Sequence, residues 1–139
     1  MAGNQTFTMI KPTAFRNYYT GKILALIEEA GFRIKALKLV QLTHSQAGLF
    51  YEIHKERSFY NDLVQYMSSG SVVAAVLEKS NAVEAFRNFI GNTDPAKADP
   101  GTIRRLYGTN IQENAVHGSD SDENALREIG FFFSELERI

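Results

Sequence analysis

The 139-residue sequence contains no cysteine. This absence excludes disulfides, thiol catalysis and thiolate metal sites, and it is typical of a protein from a reducing compartment. Long blocks of one charge sign are also missing. The totals nearly balance, with 15 Lys and Arg residues against 16 Asp and Glu residues. We therefore expect neither a basic nucleic-acid-binding arm nor an acidic tail.

Long hydrophobic runs are scarce as well. The longest aliphatic run, Val72 to Leu77, is far too short to cross a bilayer, and Met1 to Ile10 lacks the pattern of a signal peptide. We therefore expect no membrane segment and a cytoplasmic location. The composition, 44% hydrophobic and 22% charged, is ordinary for a globular protein. Without repeats or linkers, it predicts a single domain over residues 1–139.

The first part of the chain predicts a strand, a helix and a second strand. Gln5 to Lys11 is expected as a strand that Pro12 stops. Apolar residues at helical spacing predict a helix over Thr20 to Ala30, with Gly31 as its C-terminal cap. The alternation in Phe32 to Val40 predicts a half-buried strand, and a phase slip near Leu37 indicates a bulge.

The middle of the chain predicts a helical pair and a central strand. Thr43 and Gln46 resemble a capping box that opens a helix running towards His54. A short helix is expected over Phe59 to Met67. Val72 to Leu77 is apolar at every position, which is typical of a central strand covered on both faces.

The last part predicts two helices around a long loop. Asn81 and Glu84 form another capping-box pattern, before a helix that Gly91 stops. Asn92 to Gly101 holds two of the three prolines and is expected as an ordered, functional loop. A final helix starts near Asp122, with acidic residues in its first turn where they suit the helix dipole.

The predicted order is strand, helix, strand, helical pair, strand, helix, loop, short strand, helix. Two split βαβ units on one antiparallel sheet give a ferredoxin-like α+β fold, with βαββαβ order and an added helical pair. Many unrelated functions use this fold, so it does not identify the chemistry.

The segment from Asn114 to Ser121 carries the most chemical information. It places His117 between an apolar pair and a run of small or polar residues. A neutral imidazole is nucleophilic near pH 7 and can accept and release a phosphoryl group. One ring nitrogen would attack while a carboxylate fixes the other. Glu128 would supply that carboxylate, with Ser119 bridging the pair.

A lone histidine in such a turn is nevertheless more often structural than catalytic. His44 and His54 are both expected to be helix-surface residues without a chemical role. The sequence pattern around His117, taken alone, leaves the structural explanation open for that residue as well.

Five ordered blocks of the sequence resemble the nucleoside diphosphate kinase family over almost the whole chain. Asn114 to Ser121 matches the family's active-site signature nearly residue for residue. The other blocks are Thr8–Pro12, Phe50–Glu52 with Phe59–Gly70, Asn92–Pro95 with Asp99–Arg104, and Glu128–Gly130. A single His-Gly-Ser would be a weak signal, whereas five blocks at compatible spacing are a strong one.

The resemblance implies a phosphotransferase with a covalent intermediate. It would move the terminal phosphate of a nucleoside triphosphate to a nucleoside diphosphate by a ping-pong mechanism. His117 would accept the phosphoryl group, oriented by Glu128 and Ser119. Tyr51 would lie beside the imidazole, and Lys11 would contact both the sugar hydroxyl and the phosphates.

The resemblance also implies how nucleoside di- and triphosphates bind. Arg87, Thr93 and Arg104 would hold the phosphates, because guanidinium forks match phosphate oxygens. Asn114 would hydrogen-bond the sugar. The base would stack without regard to its identity, because stacking reads a π-face. The residues around the base would be Phe59, Ile111 and, behind them, Leu63.

A metal ion and an oligomer are implied as well. Mg²⁺, bound mainly through the phosphates and water, would complete the site, and Asp120 would reach it through water. A homo-oligomer, either a tetramer or a hexamer, is implied by the family alone. The sequence leaves open which of the two forms, which acceptor is preferred and which protein partners exist.

The sequence departs from the family's pattern at a few positions. Ser58 and Ser71 stand where proline is usual, which is expected to loosen the local backbone. Gln112 and Glu113 stand where basic or small residues are common, which is expected to add negative charge near the base pocket. The effect of these four residues on affinity stays open.

Two functions of other classes also stay open. The first is a non-catalytic relative that acts as a regulatory or nucleic-acid-binding protein, and the near-neutral charge counts against it. The second is a phosphohistidine relay that passes phosphate to a protein. The candidate sugar- and base-contacting residues have no purpose in such a relay.

Overall fold

The computed structural model describes residues 3–139. Met1 and Ala2, which begin both the predicted domain and the segment searched for a signal peptide, lie outside the described residues. The strands are β1 (Gln5–Ile10), β2 (Arg33–Gln41), β3 (Ser71–Glu78) and β4 (Val116–Gly118). They form one antiparallel sheet in the order β2-β3-β1-β4. This is the strand order of the expected ferredoxin-like α+β fold.

Helices cover both faces of this sheet. None of the helices described between residues 3 and 139 is long and apolar enough to cross a membrane. Short 3₁₀ turns lie at Glu52–His54, Pro95–Lys97 and Glu135–Glu137. The α-helices are α1 (Pro12–Arg16), α2 (Thr20–Glu29), α3 (His44–Phe50), α4 (Tyr60–Met67), α5 (Ala82–Ile90), α6 (Ile103–Tyr107) and α7 (Asp122–Phe132).

Two apolar clusters hold these layers together. Phe7 and Met67 belong to the cluster under α3, α4 and α7, whereas Ile27 and Phe86 belong to the cluster under α2 and α5. The central strand β3 contributes to both clusters, and its residues 72–77 are all buried. The continuous apolar run therefore predicted a doubly covered strand correctly.

Several local signals are confirmed. Thr43 and Gln46 form a complete capping box at the start of α3. Gly31 adopts a φ of +92° directly after α2, a conformation that favours glycine over residues with a Cβ. The bulge in β2 lies between Ile34 and Ala36, slightly before the position that the phase slip indicated.

Two short helices were not predicted. Pro12 does end β1, but it also occupies the first turn of α1, where its missing N–H costs no hydrogen bond. The other is α6, which begins after the cap Thr102 and separates the long loop from β4. Each has five residues, too few for a helical period to be visible in the sequence.

The predicted capping box at Asn81 is wrong. Asn81 has a φ of +52°, and its side chain caps no backbone N–H of α5. Its amide instead donates a hydrogen bond to the carboxylate of Glu84 at 2.9 Å. The first α5 residue, Ala82, donates its N–H to the carbonyl of Gly3. A contact distant in sequence therefore replaces the expected local cap.

Candidate functional site

A cleft of about 500 Å³ opens where β1 ends and β4 begins, between the helical pair and the loop before β4. The pairing of Met9 with His117 brings these two strands together, and the N–H of Lys11 extends the contact to the carbonyl of Ala115 at 2.8 Å. The lining residues are Lys11, Phe50, Tyr51, Ile53, His54, Phe59, Leu63, Arg87, Thr93, Arg104, Ile111, Gln112, Asn114, His117, Gly118, Asp120 and Glu128.

A carboxylate orients the imidazole at the centre of this cleft. Nε2 of His117 lies 2.9 Å from Oε1 of Glu128, and the hydroxyl of Ser119 donates to the same oxygen at 2.6 Å. Because Nε2 is hydrogen-bonded to Glu128, the other ring nitrogen, Nδ1, is the one that can act as a nucleophile. It has no hydrogen-bond partner among residues 3–139. A histidine held in this way is ready to act as a nucleophile.

The backbone around the imidazole is fixed as well. Thr8 on the neighbouring strand donates its hydroxyl to the carbonyl of His117 at 2.7 Å. Ser119 is buried and accepts the N–H of Phe7 at 3.3 Å. The sheet therefore holds both the nucleophile and the hydroxyl that helps to orient its carboxylate.

Three aromatic rings also pack around the imidazole. The ring centres of Phe7, Phe50 and Tyr51 lie 6.0, 5.5 and 6.3 Å from that of His117. Tyr51 meets the imidazole edge-on, and its buried hydroxyl has no partner within residues 3–139. Burial, followed by the negative charge of Glu128, raises the pKa of Tyr51, so its phenol stays protonated.

Three cations line the cleft together. Burial, followed by the positive charge of Arg104, lowers the pKa of Lys11 to about 7. Burial, followed by the charge of Arg87, lowers the pKa of Arg104 to about 10, so this guanidinium remains charged at neutral pH. None of the three forms an ion pair with a carboxylate among residues 3–139. Mutually repelling basic groups without such a partner are typical of a functional site.

Backbone carbonyls aim the Arg104 guanidinium. Its two terminal nitrogens donate to the carbonyls of Gly91 at 3.1 Å and Val116 at 3.0 Å, while its Nε has no partner among the described residues. Gly91 has a φ of +94°, and a Cβ there would lie 2.6 Å from the Thr102 hydroxyl oxygen. A glycine is therefore required at the point where α5 ends and presents this carbonyl.

The loop before β4 carries a strained residue. Ala115 has a φ of +76°, and the N–H of Val116 closes a tight turn onto the carbonyl of Asn114 at 3.0 Å. The turn directs the Asn114 amide to the carbonyl of Thr93 at 3.0 Å, which leaves its buried Oδ1 without a partner within residues 3–139. Oδ1 is thus a free acceptor beside the cleft.

The opposite end of the cleft is apolar. Phe59 and Ile111 remain 46% and 60% exposed, although both are large hydrophobic residues. Leu63, one helical turn after Phe59 on α4, lines the cleft behind them. Phe59 is therefore not a core residue, and its exposure suits a planar ligand.

Asp120 lies at the rim of the cleft and accepts a hydrogen bond from the amide of Asn124 at 2.5 Å. Within the described part of the chain, no group of three or more potential metal-ligating side chains comes together. One carboxylate beside a cluster of cations fits a Mg²⁺ ion that phosphate oxygens and water hold for the most part.

All the predicted site residues except Ser119 line the cleft, and Ser119 lies directly behind it. His54 was missed, because its place on a helix surface was inferred from local sequence. It lies in a 3₁₀ turn, lines the cleft and stacks 5.6 Å from the ring of Phe59. Burial, followed by Arg57, lowers the pKa of His54. Exposed His44 at the start of α3 fits the prediction.

The residues that depart from the family pattern occupy different surroundings. Ser58 lies in an exposed turn before α4, and Ser71 begins β3 opposite Gln41. Gln112 lines the cleft, and its side chain is neutral. Its backbone carbonyl accepts a hydrogen bond from Nζ of Lys11 at 3.3 Å. The Glu113 carboxylate accepts the hydroxyl of Thr13 and does not line the cleft, so its charge is directed towards α1.

Fold and cleft together define a ferredoxin-like α+β protein with a carboxylate-oriented histidine and three basic side chains in one cleft. The chain belongs to the nucleoside diphosphate kinase family, whose sequence model, "Nucleoside diphosphate kinase", matches residues 4–138. Its activity is the transfer of a terminal phosphate from a nucleoside triphosphate to a nucleoside diphosphate, for which the family uses a ping-pong mechanism.

Similar proteins cover the whole chain. A nucleoside diphosphate kinase of Flavobacterium psychrophilum is 57% identical over 138 residues, 99% of each chain, and one of Wolbachia pipientis is 52% identical over 139 residues, all of each chain. The Aquifex aeolicus enzyme has a TM-score of 0.96 at 46% identity, covering 98% of this chain and 99% of its own. The Halobacterium salinarum enzyme, solved in complex with CDP, has a TM-score of 0.93 at 33% identity, covering 99% and 92%.

Proposed function

We propose that Nδ1 of His117 carries the phosphate between the two half-reactions. Its lone pair attacks the terminal phosphorus of the donor, a nitrogen–phosphorus bond forms, and the bond to the bridging oxygen breaks with its electrons leaving on the diphosphate. In the second half-reaction, a terminal oxygen of another diphosphate attacks the same phosphorus and releases the neutral imidazole. The observation that supports this assignment is the 2.9 Å pair between Nε2 and Glu128, which leaves Nδ1 without a hydrogen-bond partner among residues 3–139.

Peptide mapping tests directly whether His117 is the residue that carries the phosphate. After incubation with Mg²⁺ and ATP labelled on the terminal phosphate, digestion under alkaline conditions should yield one labelled peptide, the one that contains His117. A label on a serine of the same segment, stable to acid, would contradict the proposal.

The cations hold the transferring group while charge spreads over its oxygens. Lys11, Arg87 and Arg104 would contact the phosphates, with Thr93 at the same end of the cleft. The free Asn114 oxygen would accept a sugar hydroxyl. Tyr51 would keep the imidazole in place by edge-on packing. Glu128 and Ser119 would fix the ring's orientation and tautomer.

Nucleotide kinases generally work with a divalent metal. Here we propose Mg²⁺, which Asp120 would reach through water while the phosphates supply the main ligands. Bound Mg²⁺ would neutralise phosphate charge and favour displacement at phosphorus. The rim position of Asp120 leaves space for the intervening water.

An oligomer and a cytoplasmic location complete the proposal. β2 is an edge strand, and Leu37 and Leu39 on it are 49% and 61% exposed. An edge strand with exposed apolar side chains suits association with a second copy. A tetramer or hexamer would be built from such pairs, and sedimentation equilibrium would distinguish the two.

Base stacking at the apolar end gives a first prediction. Phe59→Ala should weaken ADP binding by about 1–3 kcal/mol, because a base loses its stacking surface. The weakening should be similar for CDP, since Phe59 contacts a π-face. Isothermal titration of each nucleotide measures it. Leu136→Ala, which truncates a 96% exposed hydrophobic residue far from the cleft, is the control. Unchanged nucleotide affinity in Phe59→Ala would contradict base binding at this end of the cleft.

Protonation of Lys11 gives a second prediction. With its pKa near 7 in the empty cleft, this amine is mostly neutral at pH 8. Bound phosphates favour the charged form and raise the pKa, so ADP binding at pH 8 should take up about one proton. Titrations in Tris and in HEPES, which differ in ionisation enthalpy, measure the number.

Lys11→Met should lose this proton uptake, whereas Lys22→Met on α2 should retain it. Binding that takes up no proton in the unsubstituted protein at pH 8 would mean that Lys11 is either already charged or distant from the phosphates. The uptake should also disappear near pH 5, where Lys11 is charged before the nucleotide arrives.

A further inference from the structure

The apolar end of the cleft, here called the base slot, is lined by Phe59, Leu63 and Ile111. Its two walls come from separate parts of the chain. Phe59 and Leu63 belong to the start of α4, whereas Ile111 belongs to the loop before β4. Because Phe59 and Ile111 are both half-exposed, packing between them cannot set their separation. Some other contact must hold the loop at a fixed distance from α4.

A directional chain of hydrogen bonds joins the two walls. The backbone N–H of Thr13 donates to the Tyr66 oxygen at 3.1 Å, and the Tyr66 hydroxyl donates to Oγ1 of Thr13 at 2.9 Å. The Thr13 hydroxyl then donates to Oε1 of Glu113. Each hydroxyl has one proton and uses it once, so the chain runs in one direction and ends on a carboxylate. Burial raises the pKa of Tyr66, which keeps its proton in place.

Each end of this chain continues directly into one wall of the slot. Phe59, Leu63 and Tyr66 are spaced four and three residues apart, so they share one side of α4. On the other wall, Glu113 closes the turn that carries Ile111. Its N–H donates to Oδ1 of Asn110 at 2.8 Å, and its carbonyl accepts the N–H of residue 109 at 2.8 Å.

We infer that Glu113, acting through Thr13 and Tyr66, is a positioning residue that sets the width of the base slot. It lies outside the cleft and would touch no part of the nucleotide. Its effect would come from preorganisation, since a loop that is already in place loses less freedom when a base enters. This inference rests on the proposed function, because it assumes that a base occupies the apolar end.

Removing the acceptor at position 113 should weaken nucleotide binding without slowing the chemistry. In Glu113→Ala, the Kd for ADP should rise roughly fivefold to tenfold. This is less than the roughly tenfold to hundredfold effect of a lost hydrogen bond to a charged group, because the bond acts on the nucleotide only through the loop. The KM for the acceptor should rise with it, while kcat at saturating nucleotide stays within about twofold because bound substrate restores the slot. Glu113→Gln keeps an acceptor oxygen and should stay close to the unsubstituted protein.

A ligand without a base separates positioning from general damage. Inorganic pyrophosphate would occupy only the cationic end, so its Kd should be the same in Glu113→Ala as in the unsubstituted protein. An equal loss of pyrophosphate and ADP affinity would overturn the inference, because the whole cleft would then have been disturbed. Glu135→Ala, which removes an exposed carboxylate with no side-chain hydrogen bond within residues 3–139, controls for net charge.

A double-mutant cycle tests whether the bonds act as one chain. Thr13→Val removes the middle hydroxyl and should weaken ADP binding as much as Glu113→Ala does. The double variant should be no weaker than either single variant, because each breaks the same connection. Effects of the two substitutions that add fully, or a Thr13→Val variant with normal ADP affinity, would contradict the inference that these hydrogen bonds act together.

The outcomes separate this inference from the proposed function. If the unsubstituted protein forms no phosphohistidine, the proposed function fails whatever position 113 does. If it forms phosphohistidine and binds ADP but Glu113→Ala binds ADP equally well, the positioning role alone fails. Thermal unfolding of each variant confirms that the comparisons are made on folded protein.

Discussion

His117→Ala should lose phosphotransfer, with turnover falling by at least about 10⁴-fold, because His117 is the only histidine within residues 3–139 that is paired with a carboxylate. The pairing of β1 with β4 and the hydrogen bond from Ser119 to Glu128 should survive, since neither depends on the imidazole. ADP binding should therefore persist in the variant. Coupled-assay turnover and isothermal titration measure the two quantities separately.

The matched control is His44→Ala. His44 is exposed at the start of α3 and does not line the cleft, so its loss should leave turnover unchanged. Turnover retained by a clean preparation of His117→Ala would contradict the covalent route through this histidine. A loss of ADP binding together with turnover would point to collapse of the cleft.

Arg104→Lys should lower kcat/KM by about 10²–10³-fold, although it keeps the positive charge. The guanidinium reaches the carbonyls of Gly91 and Val116 with two nitrogens, and this grip aims it into the cleft. A lysine ammonium carries all its donors on one nitrogen, so it cannot reproduce the planar fork that reaches the two carbonyls from separate nitrogens. Most of the loss should appear in kcat, because charge on the transferring group is greatest in the transition state.

Its neighbour Arg105 supplies the control. Arg105 is exposed and donates to the carbonyl of Ala96, away from the cleft. Arg105→Lys should therefore have little effect on kcat/KM. Equal rates for Arg104→Lys and the unsubstituted protein would mean that a point charge is sufficient at this position.

Most patterns with a clear period or a specific cap were read correctly from the sequence, and the capping box at Asn81 is the exception. The apolar run of β3, the capping box at Thr43 and the acidic start of α7 each depend on neighbours within a few residues. The candidate site was found because several motifs occurred in order. No single residue carried enough information for that. Phe59 illustrates this, because a lone large aromatic residue is more often part of the core, whereas Phe59 is 46% exposed.

Features that depend on distant contacts could not be read in this way. The helices α1 and α6 are too short to display a period, and the start of α5 depends on Gly3. His54 lies beside the cleft because a 3₁₀ turn redirects the chain after α3. The connection from Glu113 to Tyr66 spans 47 positions and joins three elements, so no local pattern could reveal it.

A labelling chase tests the central claim most directly. The protein is incubated with Mg²⁺ and ATP labelled on the terminal phosphate, separated from free nucleotide, and then mixed with unlabelled GDP or CDP. The account predicts an acid-labile label on the protein that discharges to either acceptor, as expected for a phosphohistidine and a base slot that reads only a π-face. Folded, nucleotide-binding protein that acquires no label, or an acid-stable label that neither acceptor removes, would contradict it.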